Sequence, residues 1–269
     1  MEIRKIAGAL GAELVGADLS KEFPEKEIRN AFLEHQVIFF HDQPLTPAQF
    51  VAFARRMGKP VEYPFVKGLD GFPEVIEVKK LEHERYNFGG IWHSDTTYLE
   101  EPPMGSMLLA RELPPYGGDT LFANQYLAYE TLSEGMRSVL DGLIAVNSSA
   151  NADVSRTRED RIKEQARTTE ELASEHPVVR THPETGRKAL FVNRSYTQHF
   201  SGMTAEESAP LLEFLWQHAT RPEFTCRFRW ETGSVAVWDN RCTMHIAVND
   251  VWKFPRLMHR VQMCGDRPV

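Results

Sequence analysis

Cysteine is scarce in this chain. Cys226, Cys242 and Cys264 are the only three among 269 residues, odd in number and without a CxxC spacing. That excludes a disulfide framework and a thiolate-closed zinc site, and it fits buried thiols in a reducing cytosol. Long apolar runs are also missing: no stretch of about 18 apolar residues occurs, so no membrane span is expected. The N-terminal Met1-Glu2-Ile3-Arg4-Lys5-Ile6 leads into a mixed segment with no secretory pattern. Positive charge is in deficit, 31 Lys and Arg against 38 Asp and Glu for a net −7. General affinity for nucleic acid is thereby excluded, although a local cationic pocket for an anionic small molecule is not. Internal repeats, low-complexity tracts and linkers are absent, so a single domain over residues 1–269 is expected. With 26% charged and 42% hydrophobic residues the composition suffices for a sizeable core. A soluble cytoplasmic protein, assembled as a homo-oligomer, is the expectation.

Along the chain, residues 8–19 read as a Gly-punctuated strand and turn, not followed by the helix that a dinucleotide fingerprint needs. Pro24 to Gln36 reads as an amphipathic helix with Ile28, Phe32 and Leu33 on one face. Val37-Ile38-Phe39-Phe40 reads as a buried strand, and Thr46 with Pro47 caps a helix reaching Met57. Strands are predicted at 75–78, 104–110, 224–230, 234–238 and 257–263, with a hairpin turning at Pro183-Glu184-Thr185-Gly186. Helical period runs from Asn124 to Leu140 with an interruption near Gly135, and Thr204 with Glu207 forms a capping box ahead of Leu211, Leu215 and Trp216. Glu82 to Gly90 reads as a flexible loop of the kind that carries substrate contacts. Residues 150–175 are the most polar stretch and read as a mobile insertion or lid, with a plain solvated loop as the alternative. Many short strands with a few helices predict an α+β fold with a sandwich or jelly-roll core and flanking helices.

The segment Ile91-Trp92-His93-Ser94-Asp95-Thr96-Thr97-Tyr98 organises the functional reading. Its β-branched and aromatic residues favour an extended backbone, in which His93 and Asp95 project to one face. An imidazole and a carboxylate on one face are two-thirds of the facial triad that holds non-haem Fe(II) with open positions. Taken alone, His-x-Asp is common by chance, and a hydrogen-bonded pair is the ordinary explanation. The candidate third ligand is His245, itself more often a satisfied structural histidine in such a place. Arg256 follows 11 residues later and Arg260 at i+4 from it, sharing a strand face. Each guanidinium offers a planar fork for a carboxylate and keeps its charge, although a lone arginine is usually a surface ion pair.

The segments Trp92-His93-Ser94-Asp95, Gly117-Gly118-Asp119-Thr120, Leu190-Phe191-Val192-Asn193, Trp238-Asp239-Asn240-Arg241 and Arg256-Leu257-Met258-His259-Arg260 stand in one order and spacing. In that arrangement the chain resembles the taurine and chlorophenoxyacetate dioxygenase family, from Gly8-Ala9-Leu10-Gly11 to Gly265-Asp266-Arg267-Pro268. The resemblance implies a double-stranded β-helix (jelly-roll) enzyme using Fe(II), 2-oxoglutarate and O₂. It implies His93, Asp95 and His245 as iron ligands, Arg256 with Thr120 on the distal carboxylate of 2-oxoglutarate, and Arg260 at the anionic head of the substrate. Tyr63 and Tyr196 fall at aromatic pocket positions. Such an enzyme would couple decarboxylation of 2-oxoglutarate to succinate and CO₂ with hydroxylation of a small anionic organic substrate.

Two positions depart from the taurine-type pattern: Pro60 stands where those members carry a histidine, and Gly89 where they carry an asparagine. A site without these donors favours a bulkier or more apolar anion, such as an alkyl sulfonate, alkyl sulfate or aryloxy acid. The competing readings are a non-catalytic jelly-roll binding module, a zinc hydrolase on the same ligands, and a member acting on an amino-acid-like or secondary-metabolite substrate.

Overall fold

The structure, a computed structural model, describes residues 1–151 and 170–269. Its first strands are β1 (Glu2–Lys5) and β2 (Ala12–Val15), followed by helix α1 (Glu25–His35), β3 (Val37–Phe40) and α2 (Pro47–Met57). Helix α1 ends because Gln36 turns left-handed, and α2 begins at a complete capping box between Thr46 and Gln49. Then come β4 (Pro60–Val61), β5 (Ile76–Lys80), β6 (Gly105–Glu112) and β7 (Thr120–Asn124). Two short helices, α3 (Gln125–Glu130) and α4 (Glu134–Leu140), break at residues 131–133 and not at Gly135, because Ser133 caps α4 by accepting from the Met136 N–H.

The second half holds β8 (Ile144–Ser148), β9 (Ala173–Pro177), β10 (Val179–Thr181), β11 (Lys188–Leu190) and β12 (Thr197–Phe200). Helix α5 (Ala205–Ala219) leads to β13 (Thr225–Phe228), β14 (Val235–Asp239), β15 (Thr243–Ala247) and β16 (Arg256–Met263). The expected insertion at 150–175 lies mostly outside the described residues. Its C-terminal end is a correction, since Ala173–Pro177 is a strand hydrogen-bonded to β8. On α5 the buried stripe is Leu212 and Leu215, with Leu211 and Trp216 half-buried at its margin.

The large sheet runs β1-β2-β3-β14-β6-β16-β4, with β5 also pairing β16. Strand β3 lies inside this sheet and is buried on both faces, which explains its unbroken apolar run. Ile38 and Phe40 pack with Ile28, Phe32, Phe50 and Phe53 of the two helices on one side. Val37 and Phe39 face the β13-β7-β15 sheet on the other, where Phe39 stacks on Phe228 at 4.0 Å and meets Phe122 edge-on at 5.7 Å. The fold is therefore mixed α and β, with a helix layer and a second sheet on opposite faces of the large one. The site lies between the two sheets.

Candidate active site

His245 sits in β15, beside β7, and a single bridge joins it to His93: each N–H donates to the other's carbonyl, at 2.8 and 3.1 Å. The expected strand at 91–98 is a correction. Only His93 pairs in strand fashion, and a turn spans Asp95 to Tyr98 with Thr96 at φ 47°. The local donors go elsewhere: the Ser94 hydroxyl donates to the Thr243 carbonyl at 2.7 Å, and the Asp95 N–H to Asn240 Oδ1 at 3.4 Å. A β-branched residue at positive φ is strained, and these neighbouring bonds hold it.

The two side chains still converge, with His245 added. His93 Nε2 lies 3.7 Å and His245 Nε2 4.0 Å from Asp95 Oδ1. One ligand atom from each of the three falls within 4.8 Å of the others, and all three residues are buried. His93 Nδ1 bonds the Ile91 carbonyl at 2.7 Å; there it must be the N–H donor, which leaves Nε2 with its lone pair toward the cluster. His245 Nδ1 has no partner among the described residues. Its ring is fixed by packing, tilted on Trp238 at 4.6 Å and stacked over Phe122 at 6.0 Å. Burial and the neighbouring His93 push its pKa well below the usual histidine value, so it is neutral and available as a ligand. Burial raises the Asp95 pKa, but Arg260, His245, His93 and the Ser106 hydroxyl outweigh it and hold the carboxyl at about 2. Two imidazoles and a carboxylate are the donor set that suits a divalent first-row metal.

The pocket beside these residues has His93, His245, Thr120, Arg256 and Arg260 among its polar lining, with Val78, Phe88, Leu108, Trp238 and Ala247 as apolar wall. Strand β16 places both arginines on one face, as its period of two requires. Arg260 lies 3.5 Å from Asp95 Oδ1 through Nη1, while its buried Nε and Nη2 have no partner among the described residues. It stacks over Tyr63 at 4.6 Å. The Thr120 hydroxyl accepts from Trp230 Nε1 at 2.9 Å. Tyr63 thus supports Arg260 from beneath, and Tyr196 meets the His93 ring edge-on at 6.0 Å. All eight residues singled out from the sequence gather around one pocket or directly behind its lining.

The loop at 82–90 is anchored at its end. The Asn87 N–H donates to Asn249 Oδ1 at 2.6 Å, its amide donates to the Val248 carbonyl at 2.8 Å, and the Ala247 N–H donates to the Gly89 carbonyl at 2.9 Å. Gly89 has φ 77°, and a Cβ there would meet His93 Cε1 at 2.9 Å, so a side chain would crowd the imidazole. Pro60 pairs with Met263 at the far end of β16 and is outside the pocket lining. Of the cysteines, Cys226 and Cys242 are buried as expected, whereas Cys264 is exposed. Ser106 and Asn240, hydrogen-bonded around Asp95, carried no sequence signal of their own beyond the position of Asn240 inside Trp238-Asp239-Asn240-Arg241.

Comparison with known proteins agrees with this arrangement. A family model described as "Taurine catabolism dioxygenase TauD, TfdA family" matches residues 2–262. An alpha-ketoglutarate-dependent sulfate ester dioxygenase of Pseudomonas putida is 36% identical over 100% of this chain and 91% of its own length. An alkylsulfatase of Acinetobacter baylyi is 35% identical over 99% of this chain and 86% of its own. The crystal structure of a taurine dioxygenase from Burkholderia xenovorans superposes with a TM-score of 0.84, at 41% identity, covering 100% of this chain and 92% of that one. The chain belongs to the taurine catabolism dioxygenase TauD, TfdA family.

Proposed function

We propose that this alpha-ketoglutarate-dependent dioxygenase, which uses Fe(II), 2-oxoglutarate and O₂, hydroxylates the carbon that bears the anionic group of a small organic sulfate ester, sulfonate or aryloxy acid. The observation that carries the reading is the joining of two buried arginines to a His-Asp-His cluster in one pocket. His93, Asp95 and His245 would hold the iron, each already oriented as a ligand. Arg256, with the Thr120 hydroxyl, would hold the distal carboxylate of 2-oxoglutarate, and Arg260 the substrate anion; the buried Nε and Nη2 of Arg260, without partners among the described residues, support that part. Bound iron and cosubstrate supply the oxidising chemistry, in which 2-oxoglutarate becomes succinate and CO₂ and a substrate C–H becomes C–OH.

The protein's own residues bind, orient and exclude water. Val78, Phe88, Leu108 and Trp238 form dry walls, and Tyr63 keeps the Arg260 guanidinium in place. A hydroxyl placed on carbon bearing sulfate would collapse to an aldehyde with release of sulfate. Alkyl sulfate esters and simple alkyl sulfonates are favoured over taurine, since Gly89 in the pocket lining offers no side-chain donor to a small zwitterion, while Pro60 lies outside that lining. The large sheet and the β13-β7-β15 sheet packed against it are read as the two halves of a double-stranded β-helix forming one domain. Three free thiols suit a reducing cytoplasmic setting.

The test is a panel of alkyl sulfates, alkyl sulfonates, aryloxyacetates and taurine, with succinate formation measured with and without each compound. Stoichiometric sulfate, sulfite or phenol release alongside succinate from one of the first three classes is the expected result. Coupled turnover of taurine alone would overturn the substrate assignment.

A further inference from the structure

The oxygen of Asp95 turned away from the two histidines is engaged by a chain of buried groups that nothing above assigns to the reaction. Ser106 sits in β6 directly opposite Trp238 of β14 on one side and Gln262 of β16 on the other. Cross-strand partners project to the same face, so the sheet register itself brings these three side chains together. The Ser106 hydroxyl lies 2.5 Å from Asp95 Oδ2, 2.9 Å from Asn240 Nδ2 and 3.5 Å from Gln262 Nε2. Ser106, Trp238, Asn240 and Gln262 are all buried.

The direction of each bond follows from what each group can do. The Trp238 indole N–H can only donate, and it donates to Asn240 Oδ1 at 2.8 Å, which sets the amide so that Nδ2 faces Ser106. The Ser106 oxygen then accepts from Asn240 and Gln262 with both lone pairs. Its one hydrogen is left for Asp95 Oδ2. Asn240 Oδ1 also accepts from the Asp95 backbone N–H at 3.4 Å, so the same amide holds both ends of the aspartate.

We propose that Ser106 is a positioning residue, oriented by Asn240 and Trp238, that occupies Asp95 Oδ2 and thereby presents Oδ1 alone to the metal. The geometry agrees, since Oδ1 is the atom that both imidazole Nε2 atoms and Arg260 approach. A carboxylate that ligates through one oxygen leaves the remaining positions for cosubstrate and oxygen. One that swings to ligate through both takes a position away. The proposal rests on the metal assignment given under Proposed function.

The test uses apo protein titrated anaerobically with Co(II), reading affinity and the ligand-field absorption spectrum, neither of which requires turnover. Wild type comes first: failure to bind Co(II) would sink the metal assignment itself and is distinguishable from failure of the relay. With wild type binding, Ser106→Ala is expected to weaken Co(II) roughly tenfold or more and to change the ligand-field bands, while Ser106→Thr, which keeps the hydroxyl, restores both. Asn240→Asp gives a second route, because its carboxylate cannot donate to Ser106 and draws the hydroxyl hydrogen away from Asp95. Unchanged affinity and an unchanged spectrum in folded Ser106→Ala, or in folded Asn240→Asp should the first variant not fold, would overturn the proposal.

Discussion

Two buried histidine–aspartate clusters lie among the described residues, and they differ in how completely their ligand atoms are already hydrogen-bonded. His182, Asp239 and Cys242 bring ligand atoms as close together as His93, Asp95 and His245 do. At the first cluster, Asp239 accepts from Arg241 through Nε at 2.8 Å, Nη2 at 2.6 Å and the backbone N–H at 3.0 Å, and from His182 Nε2 at 3.1 Å. The other nitrogen of His182 accepts from the Glu184 and Thr185 N–H groups. Burial pushes the Cys242 thiol well above its usual value, so it stays protonated. Both Asp239 oxygens and both His182 nitrogens are already engaged, and the thiol keeps its proton. At the second cluster Asp95 Oδ1, the atom that both imidazole Nε2 atoms face, meets only contacts of 3.5 Å or longer. Ligand composition is thus a poor guide to a metal site. Whether the ligand atoms themselves are already engaged by hydrogen bonds is a better one.

Substitutions at the two clusters should fail in different ways. The largest effect is expected for Arg256→Ala, which should abolish 2-oxoglutarate binding while metal stays bound; calorimetry against the cosubstrate checks this. Asp95→Ala should lose metal affinity by at least a hundredfold in a protein that still folds. Asp239→Asn should do the reverse, costing about 3–5 kcal/mol of stability by removing the buried anion beside Arg241 and His182 and leaving Arg241 only Glu184 as a carboxylate partner, with metal affinity intact in the folded fraction. Denaturant melts read beside metal titrations separate the two.

Acid sharpens the contrast. Burial raises the Asp239 pKa, but Arg241 and His182 more than offset this, and its folded pKa lies well below the usual aspartate range. A depressed carboxyl contributes stability that is full above its unfolded value and lost as pH falls through the folded one. The stability gap between wild type and Asp239→Asn should therefore be widest near neutral pH and narrow below about pH 4. A gap that stays constant down to pH 3 would contradict this. The smallest effect is expected for Arg260→Ala, which should weaken the organic substrate while sparing uncoupled 2-oxoglutarate decarboxylation. Equal loss of both would place Arg260 on the cosubstrate instead.

Much of this was legible in the sequence where a single physical signal decided the outcome. The doubly buried run Val37–Phe40, the Thr46 and Thr204 capping boxes and the hairpin between β10 and β11 all form as their residues dictate. Segment 91–98 was not legible, because bonds from Ser94 and Asp95 to residues about 150 positions away replace the strand its propensity favours. Strand β1 carries no apolar alternation and exists only by pairing with β2. Ser106 had no signal at all, since its role depends on the register of three strands meeting in the large sheet.

The most direct measurement is an anaerobic titration of the Fe(II)-loaded protein with 2-oxoglutarate, followed by visible absorption. The weak charge-transfer band of a 2-oxoglutarate chelate should appear with one equivalent of cosubstrate, shift on adding an alkyl sulfate, and be absent in Arg256→Ala. Iron demonstrably bound with no such band in wild type would contradict the assignment of His93, Asp95, His245 and Arg256 to a single catalytic centre.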